Sequence, residues 1–352
     1  MANKTKVLII DDSAVVRKLL TQILAEDEQL EVVAAVGDPY QGVKKIKELQ
    51  PDLLTLDVEM PKMNGIKFLK KLMRTYPLPV VMISSLTKRG SRATIKALEY
   101  GAVDFVAKLD LSQLKERKLF EEQVLATVKN AARVNPKKLK RARNNVNNRE
   151  TTTNKIEVSS NQQKKIIAIG SSTGGVKALK TVVPNLPANS PGIVLVQHMP
   201  VEFTTSFAKT LDQVSEVTVK ETQAGDRIKS GRALLAPGGK HLVVEKKGTN
   251  YVVQLNNKAK VHHQRPAVDI TFKSLARVAG TKTVGVLLTG MGKDGAKGLK
   301  QIKLAGGFTI AESEETATIF GMPRKAIELK AVNEVLPLDE IAPKIVEQLS
   351  EQ

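Results

Sequence analysis

Two doubly wound α/β halves are the fold class this 352-residue sequence predicts, on three observations. Short β-branched runs that are apolar throughout alternate with amphipathic runs. Small, hydroxyl or acidic residues stand directly after the apolar runs. One long basic, Asn-rich stretch interrupts the alternation near the middle. Continuous apolarity marks parallel strands buried on both faces, and i, i+3, i+4 spacing marks the helices that cover them. Sheets of this kind gather chemistry at the carboxyl ends of their strands. At ~100–200 residues per domain, the length holds two cores.

The first half, residues 1–132, reads as five βα units. Segments 7–10, 32–36, 53–56, 80–83 and 103–107 have strand character. Val15, Leu19, Leu20, Ile23 and Leu24 form one helical stripe, and Ile66, Leu69, Leu72 and Met73 another. At the strand ends stand Asp11 and Asp12, then Asp57, Ser84 and Lys108. Three carboxylates brought together repel unless a cation joins them, and oxygen ligands alone favour Mg2+ or a similar hard ion. A carboxylate beside such an ion, with a hydroxyl and an ammonium nearby, can accept a phosphoryl group. Taken singly, Asp11 reads as a helix cap and Asp57 as a strand end. Together, at successive strand ends, the five groups read as a phosphoryl-acceptor pocket.

The strings Leu8-Ile9-Ile10-Asp11-Asp12-Ser13, Leu56-Asp57-Val58-Glu59-Met60-Pro61-Lys62-Met63-Asn64-Gly65 and Ser84-Ser85 with a later Lys108 resemble a response-regulator receiver, a flavodoxin-like (βα)5 domain. The resemblance implies phosphorylation of Asp57 by a histidine kinase. It implies Mg2+ held by Asp11, Asp12, Asp57 and the Glu59 carbonyl, with Ser84 and Lys108 meeting the phosphoryl group and Phe105 as the switch aromatic. Leu109 departs from the pattern, because receivers usually place proline after that lysine.

Between Arg133 and Lys165, ten Lys/Arg face only Glu150 and Glu157, so this stretch carries eight of the nineteen net positive charges. Rich in Asn, Gln, Ser and Thr, it cannot offset its ordering entropy by burial, and 133–164 is expected to be a flexible linker. A nucleic-acid or acidic-partner arm is the alternative reading. No aromatic is interleaved to stack bases, so no nucleic-acid partner is expected. The chain has no Cys, which excludes disulfides, thiolate metal sites and a Cys nucleophile. No run approaches the roughly 18 consecutive apolar residues of a membrane span, and the start leaves no room for a signal peptide before the first strand. A cytoplasmic location is therefore expected.

In the second half, 165–352, the apolar run 165–169 leads into Gly170-Ser171-Ser172-Thr173-Gly174-Gly175 and a helical stripe through Val176, Leu179, Val182 and Val183. A phosphate-cradling turn, a plain tight turn and a nucleophile elbow all fit this segment. The G-x-G-x-x-G and P-loop spacings are missing, whereas Gly170-x-Ser172-x-Gly174 matches an elbow presenting one hydroxyl. His198 follows the next apolar run, 193–197, and should share its sheet edge with Ser172. His241, His262 and His263 lie in polar surroundings and are expected at the surface. After the strand-like 284–288, Asp294 in Thr289-Gly290-Met291-Gly292-Lys293-Asp294-Gly295 reads as a helix cap or as the carboxylate that orients His198. His198 precedes Asp294, the reverse of the α/β-hydrolase order, so the elbow belongs to a different α/β fold. Amides of Thr173 and Met291, at adjacent helix starts, are candidates for an oxyanion hole.

Six strings in fixed order resemble the catalytic domain of the chemotaxis methylesterase (CheB) family: Gly170–Gly175, Gln197-His198-Met199-Pro200, Ala236-Pro237-Gly238-Gly239-Lys240-His241, Arg265-Pro266-Ala267-Val268-Asp269, Leu288–Gly295 and Gly321-Met322-Pro323. With the receiver, the likeness covers essentially the whole chain apart from the linker. It implies a serine esterase that hydrolyses glutamate γ-methyl esters on chemoreceptor cytoplasmic helices and deamidates specific receptor glutamines. Ser172, His198 and Asp294 would be catalytic, with no cofactor for the ester reaction. It further implies inhibition by the unphosphorylated receiver, relieved when Asp57 gains roughly −1.5 to −2 charge. Two alternatives compete. A DNA-binding output would need a helix-turn-helix near the C-terminus, yet the strand–helix alternation continues there. A non-catalytic scaffold would not need Ser172, His198 and Asp294 together. No exposed heptad seam appears, and a monomer is expected.

Overall fold

A computed structural model describes residues 4–61, 63–85, 87–108, 114–136 and 165–350. Lys62, Leu109 and the linker from 137 to 164 lie outside the described residues. The chain divides into two compact units, 1–149 and 150–352.

In the first unit, strands β1 (Thr5–Ile10), β2 (Leu30–Val36), β3 (Leu53–Asp57), β4 (Val80–Ser85) and β5 (Asp104–Lys108) form a sheet of order β2-β1-β3-β4-β5. Every pair is parallel, and the order is that of flavodoxin-like folds. Helices α1 (Ala14–Ala25), α2 (Pro39–Leu49), α3 (Gly65–Thr75), α4 (Lys88–Glu99) and α5 (Leu114–Ala132) follow the strands in turn. Ser13 caps α1 by accepting from the Val16 amide, and Leu19, Leu20, Ile23 and Leu24 form its buried face. Val15 differs from expectation and is 73% exposed. At about 100° per residue it lies roughly 110° from the centre of that stripe, beyond the covered sector.

The second unit has a seven-stranded sheet built from β6 (Ile166–Ser171), β7 (Gly192–Gln197), β8 (Thr218–Glu221), β10 (Arg232–Leu235), β13 (Thr283–Leu287), β14 (Phe308–Glu312) and β15 (Glu334–Leu336). Its order is β15-β14-β13-β6-β7-β10-β8 and all its pairs are parallel. The chain begins at β6, extends to one side through β7, then crosses to build the other side from β13. The switch point therefore lies at β6, where doubly wound sheets open a crevice. A small antiparallel sheet of β9 (Arg227–Ile228), β11 (His241–Lys247) and β12 (Asn250–Asn256) stands apart.

Helices α6 (Gly175–Val182), α7 (Val201–Asp212), α8 (Val268–Val278), α9 (Ala296–Leu304), α10 (Met322–Glu328) and α11 (Leu338–Ser350) complete this unit. Phe272 and Leu275 of α8 pack in one cluster with Ile166 and Val194 of the sheet and with Leu242 and Val253 of the hairpin. Each loses nearly all its exposure, worth about 1.5–3 kcal/mol per side chain. This packing anchors the start of α8 over the carboxyl end of β6. The strand–helix alternation of this half continues through α11. No helix among the described residues is long and apolar enough to cross a membrane.

Candidate active site

Register decides which residues meet. Ser171 pairs with Gln197 and Gly170 with Leu287, so the chain leaves β6, β7 and β13 side by side. Ser172, His198 and the 289–295 loop therefore emerge on one edge. Gly174 turns the chain after Ser172 at φ +81°, where a Cβ would also strike Thr318 at 2.5 Å. That left-handed step lets α6 start three residues beyond the hydroxyl. Across the edge, Gly290 lies so close to the nucleophile turn that a Cβ there would stand 2.8 Å from that of Ser172.

His198 Nδ1 lies 3.0 Å from Ser172 Oγ, and His198 Nε2 lies 2.8 Å from Asp294 Oδ2. The chymotrypsin arrangement uses the opposite nitrogens, but the logic is the same. An ionised carboxylate only accepts, so Nε2 carries the proton and Nδ1 is left to accept from the serine hydroxyl. The imidazole and Asp294 side chains are 6% and 2% exposed. Burial pushes the Asp294 carboxyl up. The His198 bond and charge, with the amides of Asp269 and Val268, more than reverse this and hold it below the usual Asp range. Asp294 Oδ2 accepts from Val268 N at 2.7 Å, and Oδ1 accepts from Asp269 N and Gly295 N at 3.0 Å each. The carboxylate thus caps α8 from another loop, at the positive end of its dipole. Helix cap and orienting acid, the two readings of Asp294, describe one side chain doing both.

Thr289 ties the elbow to the neighbouring strands, a role the sequence did not reveal. Its carbonyl accepts from Ser172 N at 3.0 Å, and its hydroxyl donates to Thr173 O at 2.9 Å. Its amide donates at 2.8 Å to Oε2 of Glu312, which is 1% exposed. Among the other histidines, His263 is exposed and His262 is half-buried against Asp269, with Nε2 3.2 Å from Oδ2. His241 corrects the expectation of surface residence. It is 1% exposed, accepting from Ala267 N at Nδ1 and reaching Ala259 O at Nε2. Two backbone partners far along the chain satisfy its ring, which is why burial is tolerated.

In the first unit, ligand atoms of Asp11, Asp12 and Asp57 lie within 4.8 Å of one another. Lys108 Nζ reaches Asp11 Oδ2 at 3.0 Å and Asp57 Oδ1 at 3.1 Å. Burial, then the charge of Asp11, push the Asp57 carboxyl up to about 6 against the pull of Lys108. Burial likewise raises Asp11. One ammonium does not balance three carboxylates, and an all-oxygen donor set fits a hard divalent cation. Ser84 is fully buried, and its hydroxyl meets Thr94 Oγ1 on α4 at 2.6 Å. Phe105 is half-buried on β5, and Glu59 is exposed, its amide 3.4 Å from Asp57 Oδ1.

The family model for CheB methylesterase matches residues 167–345, and that for the response regulator receiver domain matches residues 7–118. The chain belongs to the CheB methylesterase family. It is 48% identical over 342 residues to a Pseudomonas aeruginosa protein named protein-glutamate methylesterase/protein-glutamine glutaminase 2, covering 97% of this chain and 96% of that one. The Nitrosomonas europaea protein-glutamate methylesterase/protein-glutamine glutaminase is 45% identical over 98% of this chain and 97% of its own. Among solved structures, the Thermotoga maritima CheB methylesterase catalytic domain matches with a TM-score of 0.51 and 46% identity, over 52% of this chain and 97% of that domain. Family membership accounts for both halves, a receiver followed by a CheB catalytic domain.

Proposed function

We propose that this chain is a phosphorylation-activated serine esterase of chemotactic adaptation. It hydrolyses glutamate γ-methyl esters on chemoreceptor cytoplasmic helices and deamidates specific receptor glutamines, working in the cytoplasm as a monomer. The observation that carries the reading is the unbroken hydrogen-bond line from Ser172 through His198 to Asp294. In this reading, residues 1–132 are the receiver, 133–164 the linker and 165–352 the catalytic domain.

Ser172 Oγ attacks the ester carbonyl while His198 Nδ1 takes its proton. Asp294 stabilises the imidazolium through Nε2–H, and the amides of Thr173 and Met291 receive the oxyanion. Thr173 follows the nucleophile in sequence, and Met291 follows Gly290, whose backbone packs against Ser172. Ser172's own amide is turned to Thr289 O. The tetrahedral adduct collapses as Nδ1–H protonates the departing methoxide to methanol, or the departing amide nitrogen of glutamine to ammonia. Water activated by the same nitrogen then frees the glutamate from Ser172. No metal takes part in this step.

In the receiver, Asp57 accepts the phosphoryl group from a histidine kinase. Asp11, Asp12, Asp57 and the Glu59 carbonyl would hold Mg2+, which supplies charge neutralisation for the transfer. Lys108 neutralises the pocket, Ser84 meets the phosphoryl group by leaving Thr94, and Phe105 follows as the switch aromatic. The resulting rearrangement relieves inhibition of the esterase.

Methanol release from methylated receptor cytoplasmic fragments tests this. Wild type and Ser172→Ala are compared, each with and without Mg2+ and a small phosphodonor. Release that rises with phosphodonor and disappears in Ser172→Ala is expected. Release indifferent to phosphodonor removes the activation, and no release from folded wild type removes the esterase.

A further inference from the structure

Gln197 is the last residue of β7 and is 4% exposed. It precedes the base in sequence and pairs in register with Ser171, which precedes the nucleophile. Its Nε2 donates to Ser172 O at 2.9 Å and to His198 O at 3.1 Å. Its Oε1 accepts from Ser171 Oγ, itself fully buried, at 2.6 Å. Two carbonyls can only accept, so the amide's orientation is forced, and both of its N–H groups are used. A backbone bond from His198 N to Ser171 O at 3.1 Å closes the same ring of contacts.

We infer that Gln197 is a positioning residue for the ester reaction: one buried amide fixes the main chain of nucleophile and base relative to each other. The paired ladder stops at Ser171 and Gln197. Beyond it Ser172 N is held by Thr289 O and His198 N by Ser171 O, and the Gln197 amide adds the one side-chain tie that joins the Ser172 and His198 carbonyls. The side chain touches no reacting atom. It sets the 3.0 Å between Ser172 Oγ and His198 Nδ1 through the two carbonyls that flank their Cα atoms. Gly175 makes room for it, since a Cβ there would lie 2.0 Å from Gln197 Oε1. The turn demands Gly174, whereas Gly175 is demanded by the space that Gln197 and Ser171 fill.

The inference rests on the esterase reading above, and its test has a second readout that does not need the receptor substrate. Full-length Gln197→Met keeps the side-chain length and removes both donors. Ser171→Ala removes the bond that aims the amide and deletes one small oxygen, so the chain folds. Three quantities are measured for each phosphodonor-activated variant: kcat and KM for methanol release, the rate of Ser172 labelling by a serine-directed phosphonofluoridate, and the melting temperature. A misplacement of this kind costs up to about 100-fold in rate. Gln197→Met is expected to lose about 10–100-fold in kcat and in labelling rate, with KM within about twofold, and Ser171→Ala to lose several-fold in both. Lower melting with unchanged kcat and labelling in folded variants would show a purely structural role and overturn the inference. If Gln197→Met does not fold, Ser171→Ala decides alone. If wild type is labelled at Ser172 but releases no methanol, the ester reading falls, and the labelling rates still decide for or against the clamp.

Discussion

Replacing Asp294 by Asn separates geometry from charge at the catalytic centre, and the hydrogen bonds determine how. Asp294 accepts four donors, with Val268 N and His198 Nε2 on Oδ2 and Asp269 N and Gly295 N on Oδ1. Asparagine offers one oxygen and one NH2, so it must choose. With NH2 at the Oδ1 position, it confronts two buried amides and leaves both unsatisfied. With NH2 at the Oδ2 position, only Val268 N loses its acceptor, because the new donor can bond to an unprotonated Nε2. A buried unsatisfied amide costs about 1–3 kcal/mol, so the second orientation wins by about that amount. It forces the proton of His198 onto Nδ1, which then donates to Ser172 Oγ and cannot act as a base. A wrong tautomer at intact geometry costs about 10⁴ in kcat in a serine protease. The orphaned Val268 amide and the lost charge at the start of α8 together cost about 2–4 kcal/mol. For a unit of this size that lowers its melting temperature by about 5–10 °C. The assays are methanol release, thermal unfolding by circular dichroism and ¹⁵N NMR of the His198 ring. Retention of more than about 1% of kcat, or a ring still protonated at Nε2, would refute the argument.

Asp57 gives a pH dependence of definite sign. Its folded value of about 6 lies above the ordinary 3.8, so the folded receiver binds the proton more tightly than the unfolded chain. Stability from this group therefore rises as pH falls from 7 to 5, by about 1 kcal/mol. Melting curves without metal should show this gain in wild type and lack it in Asp57→Asn; an equal gain in both would exclude the mechanism. Asp294 has the opposite sign. Its depressed value supplies stability above the ordinary Asp range that is lost as pH falls below it, and Asp294→Asn should flatten that acid limb in urea titrations. His241→Leu removes two buried hydrogen bonds and should destabilise the catalytic unit by about 1–3 kcal/mol while kcat, measured well below the melting temperature, stays within about twofold. A large loss of kcat without loss of stability would give His241 a role in the reaction that the structure does not.

What was legible in the sequence was what adjacent residues encode. The run 166–169 is apolar on both faces, so it had to be a central strand, and the glycines around Ser172 had to be a turn. Asp11, Asp57 and Lys108 each follow a buried strand, and parallel strands all deliver their ends to one edge. What escaped was set by partners distant in the chain. Ala259 and Ala267, which satisfy the His241 ring, lie 18 and 26 residues beyond it. Lys240 and Gly239 beside it point to a surface loop, and nothing local opposes them. Thr289 looked like one more small residue in a Gly-rich turn, because its partners are Ser172 and Thr173 after β6, Glu312 at the end of β14 and Ile319, whose amide donates to the Thr289 hydroxyl at 2.9 Å. Val15 failed for another reason: an apolar residue at the margin of a helical stripe looks the same in sequence whether or not a neighbour covers it.

The start of α8 shows why the site is stable as well as ordered. Asp294, ahead of α9, accepts from the first amides of α8, and Asp269, on α8, accepts from Gly298 N in α9 at 2.6 Å. Each helix is capped by a carboxylate carried on the other's segment, and neither has a cap from its own N-cap side chain. The two helix dipoles thus favour two buried negative charges, one of which must stay ionised to orient His198. Burial alone would drive Asp294 toward its neutral form, which would weaken its hold on Nε2–H. The His198 bond and charge, and after them the capping amides of α8, supply the opposing stabilisation before any substrate arrives, so the imidazole is aimed without further ordering at the moment of reaction. The consequence is a coupling between helix packing and tautomer. Asp269→Asn should weaken the α9 cap and the contact with His262, let the 294 loop relax and lower kcat along with stability.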